Sequence, residues 1–221
     1  MIFSMHIPKC GGRSLEHVLR LQDQLTVFFI DDASHAVDHP QAERERTMKK
    51  QQLEKMRQRG ELDVDIFYGH YNFDTIKDLT TEKVFTIFVR HPAQRIQSAW
   101  SFLQRVKDEE WAVGNVHVEF MREFQSIEDY IQCPFYANSF QNMLGPLLPD
   151  DFAFIGMQED FSASLTRYLS FIGVTGTFDV PNLNLNPTPS YDDSARMIRL
   201  IRDHNAFEFE FYEECQRRNQ R

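Results

Sequence analysis

The sequence predicts an α/β protein, with a central parallel sheet flanked by helices, and three observations carry that reading. Short apolar runs alternate with stretches of helical periodicity, the order from which parallel sheets are built. One run, Val84-Phe85-Thr86-Ile87-Phe88-Val89, is apolar at nearly every position, as a strand covered on both faces must be. Two of the strands pass at once into a turn and a helix start, the junction at which open parallel sheets hold ligands.

The elements follow in order. Strands are predicted over residues 2–7, 27–30, 66–68, 84–89 and 152–155, each a short run rich in Ile, Val, Phe and Tyr. Helices are predicted over 14–22, 41–59, 93–107, 127–131, 137–144, 162–172 and 192–216. The last carries Asp192 and Asp193 at its start and Arg217 and Arg218 just past its end, charges that suit the helix dipole. Before it, Pro181, Pro187 and Pro189 mark an ordered loop, while residues 109–117 have no clear pattern. There is no internal repeat, and 221 residues with 42% hydrophobic content suit a single domain over 1–221.

Composition narrows the function. Asp plus Glu number 33 against 24 Lys plus Arg, a formal net charge of −9, so the chain is not expected to coat nucleic acid or anionic membrane. A polyanionic ligand would need a local basic patch. Cys10, Cys133 and Cys215 are widely spaced and odd in number, which suggests neither a disulfide framework nor a zinc site. The chain opens on a strand rather than a basic and then apolar leader, and no apolar run approaches about 18 residues. The expectation is a cytoplasmic protein with no integral membrane segment.

The first strand–helix junction reads His6-Ile7-Pro8-Lys9-Cys10-Gly11-Gly12-Arg13-Ser14-Leu15. Two glycines let the backbone turn tightly and bring its N–H groups close to an anion. The helix start adds unpaired N–H groups and a positive dipole end. Lys9 supplies a point charge, and Ser14 either caps the helix or hydrogen-bonds a phosphate oxygen. This is not a Walker A loop, in which the lysine follows the last glycine; here Lys9 precedes Gly11 and Gly12.

The second junction, Arg90-His91-Pro92-Ala93-Gln94-Arg95-Ile96-Gln97-Ser98-Ala99-Trp100, follows the strongest strand. Pro92 suits a first helical turn, where its missing N–H costs nothing. Arg90 and Ser98 can grip one phosphate, the arginine by a charge-assisted fork and the serine by its hydroxyl. Arg95 shares a helix face with Ser98; the plainer reading of both Arg90 and Arg95 is an ion pair with a surface carboxylate, which suits Arg95 best.

Taken together, the two junctions resemble those of sulfotransferases that use 3′-phosphoadenosine 5′-phosphosulfate (PAPS), in the branch containing carbohydrate O-sulfotransferases. Lys9 to Ser14 is similar to that family's 5′-phosphosulfate loop, PKTGGTS, and Arg90 to Trp100 to its 3′-phosphate motif, RxPxxRxxSxW. Tyr68-Gly69-His70-Tyr71, Asn138-Ser139-Phe140-Gln141, Ile155 to Phe161 and Asn205 to Tyr212 agree as well. Two positions depart: Cys10 and Arg13 stand where the family has threonine. The resemblance implies a P-loop-NTPase-like fold and sulfuryl transfer to a hydroxyl of a carbohydrate or small molecule. It implies Lys9, Cys10, Gly11, Gly12, Arg13, Ser14, Arg90 and Ser98 as nucleotide-binding residues, and no metal.

A base must take the acceptor's proton, and histidine, with an unperturbed pKa of about 6.5, is the usual choice. His70 follows a strand and Gly69 at the sheet edge that bears Lys9 and Arg90. In the related carbohydrate enzymes a His or Glu after this strand is the base, so the resemblance points to His70, with Lys9 stabilising the leaving diphosphate. His6 opens the loop and reads either as a contact to nucleotide or, by preference, as a histidine at a strand end, set in the core. His35 and His39 are too weakly spaced to specify a metal. The stretch from Glu43 to Arg59 holds seven cations and three acids, a solvated charged helix or one wall of a saccharide cleft. Trp111 and Phe120 are candidates for an acceptor lid. A nucleotide kinase would carry a Walker A lysine and a magnesium-binding Asp, and neither is found. A non-catalytic binder of adenosine 3′,5′-diphosphate would keep the pocket without an aligned His70.

Overall fold

The computed structural model describes residues 1–31, 40–110, 118, 122–134, 136, 139–175 and 191–220. His35, His39, Trp111, Phe120, Asn138 and the three loop prolines lie outside the described residues. Five strands, β1 (Ile2–Met5), β2 (Val27–Asp31), β3 (Ile66–His70), β4 (Val84–Val89) and β5 (Phe152–Met157), run parallel in the order β2-β3-β1-β4-β5. This is the flanked parallel sheet that the apolar runs predict. The inner strands bury Phe3, Met5, Ile66, Phe67, Ile87 and Val89 almost completely, and rings from adjacent strands (Phe3 with Phe67 and Phe85) meet across the ladder.

Among the described residues the α-helices are α1 (Gly12–Arg20), α2 (Pro40–Gln58), α3 (Phe73–Ile76), α4 (Pro92–Val106), α5 (Ile127–Gln132), α6 (Ser139–Leu144), α7 (Phe161–Phe171), α8 (Ala195–His204) and α9 (Ala206–Asn219). The sheet, α1, α6, α7 and part of α9 share one apolar cluster. A second forms where Ala93, Ile96, Ala99, Leu103 and Val106, one face of α4, meet Met197 and Ile201 of α8, Tyr130 and Ile131 of α5 and Phe209 of α9.

Most boundaries shift by a residue or two. Thus β1 stops at Met5 because residues 6–11 turn into the loop, and α1 begins at Gly12 rather than Ser14. One difference is larger. The predicted helix over 192–216 is two helices broken at Asn205, whose backbone leaves helical geometry (φ −141°, ψ 41°) and whose buried side-chain amide donates to the Ile201 carbonyl. Asparagine competes with the backbone for hydrogen bonds and so favours helix ends.

Candidate active site

The parallel register sets Met5 level with Gly69 of β3 and Ile87 of β4. The chain therefore leaves β1, β3 and β4 at one edge of the sheet. β1 is followed in the sequence by strands on one side of it, while β4 and β5 lie on the other side. In open parallel sheets such a reversal is where ligands bind, in the crevice beyond the carboxyl ends of the central strands. Lys9, His70 and Arg90 come from these three strand ends.

The loop after β1 is shaped by two glycines. Gly11, the N-cap of α1, has φ 83°, and a Cβ there would fall 2.3 Å from Gln158 Oε1 and 2.6 Å from the Phe161 ring. At Gly12 a Cβ would fall 1.5 Å from the His6 ring. The Cys10 amide donates to the Ile7 carbonyl (3.3 Å) and the Ser14 amide to the Gly11 carbonyl (3.1 Å). The amides of Gly11, Gly12 and Arg13 have no backbone partner among the described residues, and the first turn of α1 contains no acidic residue. These three N–H groups and the helix dipole make the start of α1 receptive to an anion. Ser14 is buried in the first turn and is not the cap. Cys10 points inward, where burial pushes its thiol up to about 12, so only its backbone belongs to the loop.

Lys9 is the one non-glycine residue among those described with positive φ (71°). Left-handed backbone costs an L-residue roughly 1–2 kcal/mol, so the conformation is imposed by the surrounding loop. Its ammonium rests 4.5 Å from the centre of the Phe102 ring. Burial, then the nearby Arg105, Arg90 and Arg13, lower it to about 8. Four cations thus gather in an acidic chain, and Lys9 makes no ion pair among the described residues.

Arg90 reaches this cluster from the end of β4. Its Nη1 donates to the Lys9 carbonyl (3.3 Å) and its Nη2 to the Tyr191 hydroxyl (3.0 Å). Its Nε is buried without a partner among the described residues. A buried donor left unpaired carries a desolvation penalty, which a bound anion would relieve. Gln97 of α4 anchors the residue after Tyr191, accepting from the Asp192 amide (2.7 Å) and donating to the Asp192 carbonyl (3.2 Å). Ser98 is buried in α4, but no hydrogen bond joins it to Arg90 among the described residues. Arg95 corrects the sequence reading: it makes a buried fork to Glu208 of α9, not a surface pair. Burial opposes its charge, yet the Glu208 carboxylate outweighs burial and holds the guanidinium above its usual range.

His70 stands at the end of β3. Its Nδ1 lies 2.8 Å from the His6 carbonyl, which can only accept, so Nδ1 bears the hydrogen. In the neutral ring Nε2 then holds the lone pair, the form a general base requires. The His6 ring stacks on His70 at 4.0 Å; it is half-buried rather than in the core.

Sequence reasoning missed Phe102, Arg105 and Tyr191. Phe102 had one available signal, its spacing four residues beyond Ser98 on α4. The basic stretch on α2 makes exposed pairs: Arg57 with Glu54 (2.6 Å), Lys50 with Asp78 (2.8 Å) and Arg59 with Glu61 (3.8 Å). No group of three or more His, Cys, Asp or Glu among the described residues is arranged to hold a metal, and none of their helices is long and apolar enough to cross a membrane.

The strand ends thus carry two groups of anion-attracting donors, the α1 amides with Lys9 and the Arg90 guanidinium, and a histidine whose Nδ1 bears the hydrogen. A comparison with curated proteins finds none that matches the chain. Among solved structures, the sulfotransferase from Alicyclobacillus acidocaldarius is similar at 14% identity with a TM-score of 0.50, over 96% of this chain and 94% of that one. Mouse sulfotransferase SULT7A1 complexed with PAP gives 13% identity and a TM-score of 0.40, over 95% and 66%. The model of the sulfotransferase family matches residues 1–213. By that match, which spans nearly its whole length, the chain belongs to the sulfotransferase family.

Proposed function

We propose that this chain, acting as one domain over 1–221, is a PAPS-dependent O-sulfotransferase whose acceptor is a hydroxyl of a carbohydrate or small molecule. The observation that carries the reading is the meeting of Lys9 and Arg90 from adjacent strands, where, among the described residues, Arg90 Nε has no partner and the Gly11, Gly12 and Arg13 amides have no backbone partner. One nucleotide with a phosphate on each side of its ribose suits that pair of anion sites.

Bound PAPS supplies the activated sulfuryl group. The Gly11, Gly12 and Arg13 amides hold its 5′-phosphosulfate, with Ser14 and the Cys10 backbone completing the loop. Arg90 takes the 3′-phosphate, with Ser98 as its helical partner. His70 Nε2 removes the acceptor's hydroxyl proton as the acceptor oxygen bonds to sulfur and the sulfur–phosphate oxygen bond breaks. Lys9 meets the negative charge that gathers on that phosphate oxygen. Positioning and electrostatics supply the rate, and no metal is required. The net charge of −9 favours a neutral or modestly charged saccharide over a long sulfated polymer. Three free cysteines support a cytoplasmic setting.

Transfer of radiolabelled sulfate from PAPS to a panel of glycans and small alcohols tests the reading. Wild-type protein should label an acceptor, and His70→Ala should lose about 100-fold or more in kcat while still binding adenosine 3′,5′-diphosphate. Near-normal turnover by His70→Ala would remove His70 from the base role.

A further inference from the structure

We propose that His6 is a positioning residue that couples the anion loop to the base, a role resting on the assignment of His70 as base. The main chain of His6 is bonded to β3 on both sides. Its amide donates to the Gly69 carbonyl (2.9 Å), and its carbonyl accepts from His70 Nδ1 (2.8 Å). Its ring lies nearly parallel to His70 (4.0 Å, 24°) and to Tyr68 (5.6 Å, 22°). On its other edge the ring fills the space a Gly12 side chain would need. The Tyr68 hydroxyl closes the circuit by donating to the Gly12 carbonyl (2.7 Å).

Each contact has a consequence. The carbonyl selects the His70 tautomer with its lone pair on Nε2. The stacked ring limits rotation of the His70 imidazole about its own axis, so Nε2 keeps one direction. The contact with Gly12 ties that direction to the loop proposed to hold the phosphosulfate. A histidine here therefore sets the distance between proton acceptor and transferring group, and small errors in such a distance are costly in rate.

The test compares wild type, His6→Ala and His6→Phe for kcat, acceptor KM and affinity for adenosine 3′,5′-diphosphate. Histidine ¹⁵N spectra report the tautomer. His6→Ala should lose about tenfold or more in kcat with nucleotide affinity changed less than about threefold, and His6→Phe, which restores a stacked ring, should regain most of the loss. In wild type and in both variants His70 should carry its hydrogen on Nδ1, because each substitution leaves the residue 6 carbonyl in place, so the rate loss reports the ring alone. Unchanged kcat in His6→Ala, a loss confined to nucleotide affinity, or a wild-type His70 with its hydrogen on Nε2 would each overturn the proposal. The wild-type spectrum needs no catalysis and judges the carbonyl contact even if the alanine variant folds poorly. Full activity of His70→Ala would instead refute the base assignment itself.

Discussion

Between pH 7 and pH 9 the affinity for adenosine 3′,5′-diphosphate should fall about tenfold, through loss of the Lys9 charge. Burial and three neighbouring guanidiniums bring that ammonium down to about 8 in the unliganded protein. A group titrating there is roughly nine-tenths charged one pH unit below and one-tenth charged one unit above. If only the charged form binds, the dissociation constant grows in proportion to the lost fraction, hence the tenfold. The nucleotide's phosphates are essentially ionised throughout, and the Cys10 thiol, pushed up to about 12, does not titrate in this window. The linkage has a second face. An unfolded chain keeps the Lys9 proton up to about pH 10.4 while the folded one releases it earlier, so this residue makes the unliganded protein more stable as pH rises from about 8 to 10. Titration calorimetry at constant ionic strength on wild type and Lys9→Arg separates the cause, because arginine stays charged and should give a nearly flat profile. A wild-type affinity constant within about twofold from pH 7 to 9, or an equal fall in Lys9→Arg, would refute the reasoning.

Three further outcomes follow from named contacts. Arg90→Lys removes the guanidinium fork and should weaken adenosine 3′,5′-diphosphate about 10- to 100-fold, while AMP, which lacks the 3′-phosphate, should bind both proteins equally by calorimetry. Glu208→Ala leaves the Arg95 guanidinium buried and unpaired, a loss of about 3–5 kcal/mol or roughly 6–20 °C in Tm; Arg95→Met combined with Glu208→Leu should recover most of it in a calorimetric scan. Gly12→Ala drives a Cβ into the His6 ring and should weaken nucleotide binding, whereas Gly12→Ala combined with His6→Ala should bind better than Gly12→Ala alone.

Much of this architecture was legible in the residues because it is local. Apolar runs mark strands whatever surrounds them, and Gly11, Gly12 and Pro92 announce their turns by backbone chemistry alone. Lys9, His70 and Arg90 share a sheet edge because each follows a strand, and parallel strands end on the same side. What escaped is contact between distant segments. Nothing near Phe102 says that Lys9 will lie on it, and Tyr191 meets Arg90 from 101 residues away. Arg95 reads as a surface cation until α9 brings Glu208 against it. Asn205 lies within continuous helical periodicity, and the break appears only when Met197 and Ile201 join the second apolar cluster while Phe211 and Cys215 join the first. Local pattern predicts elements; the demand that both apolar faces be buried decides where they bend.

The most direct examination of the account is a crystal structure of the protein with adenosine 3′,5′-diphosphate. The account requires the 5′-phosphate on the Gly11, Gly12 and Arg13 amides beside Lys9, and the 3′-phosphate on Arg90 with its Nε engaged. A nucleotide that leaves Arg90 Nε unpaired, or lies outside the crevice between β1 and β4, would contradict it.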